Sequence, residues 1–165
     1  MSDKITVINS EDVPQQDFRE IPWICKFDGD KYGTNNFYSV HWNMPQERVE
    51  VTDNVGHPPH MHKENEIMML IGMDPENPDD LGAEVQMCIG EDMEKHVFTK
   101  SCTVIIPGGI PHGNFRIVES KRPWMFVQVQ EAVPRTEKFL WDYLTPEQIE
   151  AIPNKDFWKD TGYDD

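Results

Sequence analysis

The sequence predicts an all-β protein, an antiparallel barrel or sandwich followed by one short helix near the C-terminus. Several short interior runs are rich in Val, Ile, Phe, Tyr and Trp, residues that favour strands. Clusters of Asn, Asp, Gly and Pro separate these runs and indicate turns. Helical periodicity is weak until about residue 145, so a helical or doubly wound α/β fold is disfavoured.

The predicted strands follow one another along the interior of the chain. They are residues 36–42, 66–72, 83–89, 96–99, 103–106, 114–118 and 124–130. The longest breaker between them is the stretch MDPENPDDLG, residues 73–82. Thr145, Pro146 and Gln148 then supply an N-cap, a proline at the first helical position and a capping-box residue, which predicts a short helix toward Ile152.

The composition bounds the organisation and the partners of the protein. A chain of 165 residues fits one domain, interpreted as an N-terminal extension (1–35), a barrel (36–130) and a C-terminal extension (131–165). The net charge of −15 disfavours nucleic acid and anionic membrane surfaces as partners. Without a signal-like or membrane-spanning apolar run or a disulfide-like cysteine pattern, we expect a cytoplasmic protein.

Two segments carry residues typical of a metal site. In the first, HMHKENE (60–66), an extended strand would place His60, His62, Glu64 and Glu66 on one face, because side chains alternate. In the second, PGGIPH (107–112), two glycines permit a tight turn that delivers His112 just before a strand. Imidazoles and a carboxylate that converge in this way suit Fe, Mn, Ni or Zn.

These segments resemble the two sequence motifs of the cupin superfamily. The stretch GHPPHMHKENEIMMLIG (56–72) is similar to the first motif, and SCTVIIPGGIPHGNFR (101–116) is similar to the second. The resemblance implies a double-stranded β-helix, a jelly-roll-like barrel, that holds one divalent transition metal. It implies as ligands His60, His62, Glu66 and His112. The match departs from the motifs in glycine spacing, at Ser101 and at Arg116, so it does not indicate a particular substrate.

Other residues are candidates for roles around such a centre. Glu64 is interpreted as a rim carboxylate, a support for a ligand or a catalytic general base. Arg116 would share the face of His112 on a regular strand, where a guanidinium could bind a carboxylate of the substrate. The alternative is that Arg116 pairs with a surface acid such as Glu119. Further candidates for substrate contact are His41, Trp42 and Phe126. His57 and His96 are expected on the surface.

The sequence thus predicts a metal-dependent cupin enzyme acting on a small organic substrate that bears a carboxylate or carbonyl group. Three neutral histidines and one carboxylate leave two positions open on a six-coordinate metal, which permits dioxygenase-, decarboxylase-, isomerase- or lyase-type chemistry. The alternative is a non-catalytic cupin that only binds or senses a small molecule. We also expect a homodimer, because small barrels leave apolar faces and strand edges to cover.

Overall fold

The computed structural model describes residues 5–15, 22–50, 55–152 and 155–163 and contains ten strands in two sheets. The strands are β1 (Trp23–Asp28), β2 (Phe37–Asn43), β3 (His60–Met61), β4 (Glu66–Gly72), β5 (Asp80–Ile89), β6 (Glu94–Lys100), β7 (Cys102–Ile106), β8 (His112–Ser120), β9 (Trp124–Gln130) and β10 (Lys138–Phe139). The first sheet has the order β1-β2-β9-β4-β7 and the second the order β10-β3-β8-β5-β6. Each of these neighbouring pairs is antiparallel, which confirms the predicted all-β class.

Alternation along β2 and at the start of β4 explains which of their side chains face the interior. Along β2 every second residue is buried, and β4 starts the same way with Glu66, Met68 and Leu70 inside. Residues of both sheets form the main core, among them Leu70, Val85 and Trp124. Glu66 therefore enters this interior at the start of β4, as an acid in line with apolar core residues.

Three strands, β1, β3 and β10, were not predicted from the sequence. β3 and β10 have two residues each, too few for any periodicity, and β1 lacks alternating burial. β1 lies within the N-terminal extension and β10 within the C-terminal one, yet β1 pairs with β2 and β10 with β3. The sheets therefore draw on both extensions as well as on residues 36–130.

The predicted C-terminal helix is present as α1 (Pro146–Glu150). Its capping box forms as expected: Thr145 Oγ1 accepts from the Gln148 backbone N–H at 3.3 Å, and the Gln148 side chain accepts from the Thr145 N–H at 2.9 Å. Leu144 and Ile152, at its two ends, pack with Val55 in a second small apolar cluster. Within the described ranges, no helix has the length and apolar character needed to cross a membrane.

Candidate metal centre

The structure brings the four residues implied as metal ligands to one point in the barrel interior. His60 lies on β3, directly opposite His112 of β8, while Glu66 opens β4 in the other sheet. His62 follows β3. All four are buried, and their ligand atoms lie within 4.8 Å of one another. The cluster thus joins the two sheets at one end of the core.

The glycine-rich turn before β8 packs closely on the loop that follows β3. Gly109 has φ +81°, a conformation that favours glycine, and its N–H donates to the His62 carbonyl at 2.7 Å. A Cβ at Gly108 would lie 2.2 Å from the Lys63 carbonyl oxygen. The two glycines therefore allow the close approach that sets His112 beside His62.

Backbone carbonyls fix the orientation of all three histidines. The Nδ1 atom of His60 lies 2.8 Å from the Pro58 oxygen, and that of His112 lies 2.9 Å from the Ile110 oxygen. His62 Nδ1 lies 2.5 Å from the Thr136 oxygen. Because a carbonyl can only accept, each Nδ1 carries a proton, and in the neutral form of each ring the lone pair that can coordinate a metal is on Nε2. Three nitrogen donors are therefore prepared for a metal.

Side chains of the first sheet orient the carboxylate. Gln128 donates to Glu66 Oε1, and the Gln128 side-chain oxygen accepts from Ser39 Oγ at 3.1 Å. The second oxygen, Oε2, lies 2.9 Å from His112 Nε2 and 3.8 Å from His62 Nε2. Within the described residues, neither Glu66 Oε2 nor His112 Nε2 has a hydrogen bond of normal geometry. One oxygen is held while the other points at the imidazoles.

The electrostatics of the cluster follow from burial and close contact. Burial lowers the pKa of both His60 and His62, which keeps these rings neutral and able to coordinate. Burial alone would raise the pKa of Glu66, but the close contact with His112, followed by weaker effects of His62 and the Gln128 hydrogen bond, lowers it to about 2. Burial alone would lower the pKa of His112, yet Glu66 raises it.

This donor set fits a transition metal. Glu66 is only 2% exposed, and burying a carboxylate costs free energy unless a cation or hydrogen-bond donors offset the lost hydration. One of its oxygens already has a donor, and a cation among the three Nε2 atoms would compensate the other. Three imidazole nitrogens and one carboxylate oxygen suit Fe, Mn, Ni or Zn.

A cavity of about 740 Å³ opens onto the cluster. His60, Glu66 and His112 contribute to its wall. All four residues predicted to contact substrate also line it: His41, Trp42, Arg116 and Phe126. His41 packs between two other lining rings, with centroid distances of 4.7 Å to Trp23 and 5.0 Å to Phe126.

Arg116 lies at the cavity wall, but the strand that carries it is not regular as the sequence analysis assumed. Between the positions where Gly113 and Arg116 pair with β5, two residues of β8 stand opposite one residue of β5. This bulge includes Asn114 with φ +49°. The regular strand that the argument for a common face assumed is therefore absent between His112 and Arg116, although both residues line the cavity. Arg116 lies beside Gly56, where an added Cβ would meet the Arg116 Cβ at 3.3 Å.

Glu64 is not part of the cluster. The chain bends at Lys63 and Glu64, so the even spacing of an extended strand does not continue from His62 to Glu66. Both Glu64 oxygens accept hydrogen bonds from Thr136, at 2.8 Å from its N–H and 2.7 Å from its Oγ1. This placement gives no support to the catalytic role predicted for Glu64.

His57 lies in a different place from the one expected. It is half-buried at the cavity wall, with its ring centroid 4.4 Å from that of His60 and 4.5 Å from that of Trp158. The ligand atoms of His57, His60 and Glu137 also lie within 4.8 Å of one another. Glu137 follows His57 by 80 residues in the sequence, and no spacing rule connects them.

Sequence reasoning also missed the polar residues that support the cluster. Ser39, Gln128 and Gln130 are polar residues of strands that face the metal site, and Gln130 Nε2 lies 2.9 Å from His62 Nε2. A signal was available, because Gln128 and Gln130 alternate with apolar residues in the strand WMFVQVQ. Polar side chains at alternate positions of a strand that crosses a barrel core need partners there.

Comparison with known proteins identifies the fold. No protein-family model matches the sequence, and no curated protein matches it. Oxalate decarboxylase from Lactobacillus farciminis, in its formate complex, has a TM-score of 0.53 at 13% sequence identity. The alignment covers 87% of this chain and 42% of the decarboxylase chain, and coverages are given below in that order. The polyketide cyclase RemF from Streptomyces resistomycificus has a TM-score of 0.52 at 16% identity, covering 93% and 97%. HppE in its Fe(II) form has a TM-score of 0.50 at 10% identity, covering 79% and 62%.

The chain has a double-stranded β-helix fold, the fold that the resemblance to the cupin motifs implied. The resemblance drawn from the two sequence segments is thus confirmed at the level of the fold. The chain spans less than two thirds of oxalate decarboxylase and of HppE, but nearly the whole of RemF. At identities of 10–16%, this likeness concerns the fold, so function has to be argued from the site.

Proposed function

We propose that the protein is a metal-dependent cupin enzyme that acts on a small organic substrate bearing a carboxylate or carbonyl group. One observation carries the proposal: a buried His60, His62, Glu66 and His112 cluster lies at the wall of a cavity large enough for a substrate. The structural neighbours support it, since they include an oxalate decarboxylase in complex with formate, a polyketide cyclase and an Fe(II) protein.

The ligands would hold one divalent metal, Fe, Mn, Ni or Zn. A bound metal supplies Lewis-acid polarisation of a carbonyl or, as Fe(II), activation of dioxygen. Three neutral histidines and one carboxylate leave a net charge of about +1 at such a centre. The hydrogen-bonded Nδ1 atoms and the Gln128 contact to Glu66 hold these donors in place before metal arrives, which limits the cost of binding.

The remainder of the cavity suits an anion with an apolar or aromatic body. Lys26, Arg116 and Arg135 line it, although the chain as a whole carries a net charge of −15. Seven Phe and Trp side chains also contribute to the wall: Trp23, Phe37, Trp42, Phe115, Phe126, Phe157 and Trp158. Ligand pockets of ~300–1,000 Å³ enclose drug-sized molecules, so a cavity of about 740 Å³ favours a substrate larger than a two-carbon acid.

The proposal is tested by metal analysis followed by a turnover screen. Protein purified without a histidine tag should contain about one transition metal per chain. A screen of carboxylates and carbonyl compounds, run with and without oxygen, should then show turnover that disappears in the His62→Ala/His112→Ala double variant. Binding without turnover would indicate the non-catalytic alternative, and metal-free protein that takes up no added metal would overturn the proposal.

The role of Arg116 is tested with whatever acid the screen identifies. Arg116→Ala should keep its metal and lose most of its affinity for that acid, because a guanidinium holds a carboxylate through two hydrogen bonds. Arg116→Lys should recover part of the affinity. An unchanged dissociation constant in both variants would remove Arg116 from the substrate site.

A further inference from the structure

We propose that Glu64 and Thr136 are positioning residues that fix His62 as a metal ligand, and that metal binding and docking of the C-terminal segment therefore stabilise each other. The C-terminal segment is defined here as residues 134–152 and 155–163. The inference rests on the proposed metal centre and adds to it a dependence on a distant part of the chain.

Hydrogen bonds connect Glu64 to His62 through a single residue. The Thr136 carbonyl accepts from His62 Nδ1 at 2.5 Å. The Thr136 N–H and hydroxyl donate to the two Glu64 oxygens at 2.8 and 2.7 Å, and the hydroxyl accepts from the Lys63 N–H at 2.8 Å. All three polar groups of Thr136 are thus engaged. Glu64 holds the residue whose carbonyl orients the imidazole.

His62 differs from the other two histidines in where its carbonyl comes from. Pro58 and Ile110 each precede their histidine by two residues, so the local backbone path fixes those contacts. Thr136 lies 74 residues beyond His62. The orientation of His62 therefore requires that the C-terminal segment be docked.

The C-terminal segment docks on β3, the strand that carries His60 and ends just before His62. β10 pairs with β3, which sets Lys138 opposite Met61 and Phe139 opposite His60. Further hydrogen bonds extend the contact: Leu140 N–H to the Pro59 carbonyl at 2.8 Å and Lys63 Nζ to the Gly162 carbonyl at 2.8 Å. The segment thus contacts the chain on both sides of His62.

Linkage makes the coupling reciprocal. If docking raises the affinity for metal by some factor, bound metal must favour docking by the same factor. Partners that orient a metal-bound histidine are typically worth about 10–100-fold in metal affinity. The same range is therefore expected for the effect of metal on the docking equilibrium.

The first test measures metal affinity in the full chain by competition with a chelator, using Zn(II). Glu64→Ala should raise the dissociation constant by about 10–100-fold. Glu64→Gln should have a smaller effect, since its amide oxygen still accepts one of the two hydrogen bonds. Thr136→Val keeps the carbonyl and should have the smallest effect of the three. The control is Glu131→Gln, because Glu131 accepts from Asn65 at 2.8 Å on the exposed surface and contacts no ligand histidine.

Co(II) provides a spectroscopic readout that a purely structural role of Glu64 would not move. The visible absorption of bound Co(II) depends on how its ligands are arranged, so Glu64→Ala should change the spectrum and Glu131→Gln should not. Partial recovery of the wild-type spectrum in Glu64→Gln would indicate that the hydrogen bond to Thr136 is responsible.

The second test uses the wild-type protein and so does not depend on the folding of variants. Zn(II) should slow amide hydrogen exchange in residues 136–140 by a factor comparable to the affinity lost in Glu64→Ala. Exchange that is unaffected by metal, or equal affinities in Glu64→Ala and wild type, would overturn this inference while leaving the metal centre intact. Wild-type protein that binds no metal would overturn the metal centre itself.

Discussion

The two sheets of the barrel contribute to the candidate metal centre in different ways. In the first sheet, β9 pairs with β2 and with β4 over seven residues each without a shift in register. In the second sheet, β5 pairs with shifts against both β6 and β8, and β3 has only two residues. The first sheet, regular except for one shift between β1 and β2 at its edge, supplies Glu66. The irregular second sheet supplies His60 and His112, with His62 directly after β3.

The difference teaches how each kind of sheet can orient a ligand. In a regular ladder the backbone groups bond to neighbouring strands, so Glu66 is oriented by a side chain, Gln128. Pro58 and Ile110 lie in the loops just before β3 and β8, outside the ladders, so their carbonyls can accept from the histidines two residues later. The paired strands thus orient the carboxylate through a side chain, and the loops before β3 and β8 supply the carbonyls that orient His60 and His112.

The largest expected effect comes from removing ligands of the irregular sheet. The His62→Ala/His112→Ala double variant should lose nearly all metal, because two of the three nitrogen donors disappear. Metal content after purification and after dialysis against Zn(II) measures this. His96→Ala is the matched control, since His96 lies on the edge strand β6 outside the cluster, and equal metal loss there would contradict the assignment.

The close packing of β8 beside its bulge is tested at Gly113, the paired residue just before the bulge. A Cβ there would lie 2.6–2.8 Å from backbone atoms of Pro58 and Pro59, and its φ of +150° is rare for other residues. Gly113→Ala should lower the free energy of unfolding by about 3 kcal/mol, measured by denaturant titration. Gly90→Ala is the control: φ is also positive, but no atom lies within 4 Å of the added Cβ, so about 1 kcal/mol is expected.

The regular sheet is tested at Gln128. Gln128→Leu keeps a similar volume but removes the donor that holds Glu66 Oε1, so the carboxylate can turn away from the histidines. Metal affinity should fall by about 10–100-fold, as is typical for residues that orient a ligand. An affinity equal to that of wild type would show that the strand geometry alone orients Glu66.

The pair formed across the sheets by Glu66 and His112 should give a pH dependence in metal-free protein. The Glu66 pKa is held at about 2, so its contribution to stability is present above its ordinary value of 4.5 and is lost as pH falls toward 2. The His112 pKa is raised, so its contribution is present below 6.5 and is lost as pH rises through the raised value. The Tm difference between wild type and Glu66→Gln, in chelator, should therefore be largest between about pH 4.5 and 6.5.

The regular parts of the molecule could be predicted from the sequence. Each of the seven runs chosen for β-branched and aromatic residues coincides with a strand, because residues half-buried on a pleated sheet leave a period of two. The resemblance to the two cupin motifs also implied a set of four residues, His60, His62, Glu66 and His112, that the structure brings together.

The other parts of the candidate site could not be predicted, because they depend on contacts and backbone irregularities that leave no local sequence pattern. Thr136 and Glu137 lie next to the ligand histidines because β10 pairs with β3, and that pairing involves only two residues of each strand. The bend at Lys63 interrupts the extended spacing between His62 and Glu66, and the bulge in β8 interrupts the alternation between His112 and Arg116. In each of these cases tertiary packing, not propensity, decided the direction of the side chain.

The carbonyls that hold His60 and His112 have a consequence for how the protein can evolve. Every amino acid has a backbone oxygen, so a substitution at Ile110 that keeps the path of the chain keeps its acceptor. Most substitutions at Ile110 therefore leave the orientation of the His112 imidazole unchanged. Such a position can drift freely among descendants of the same gene while the histidine two residues later cannot.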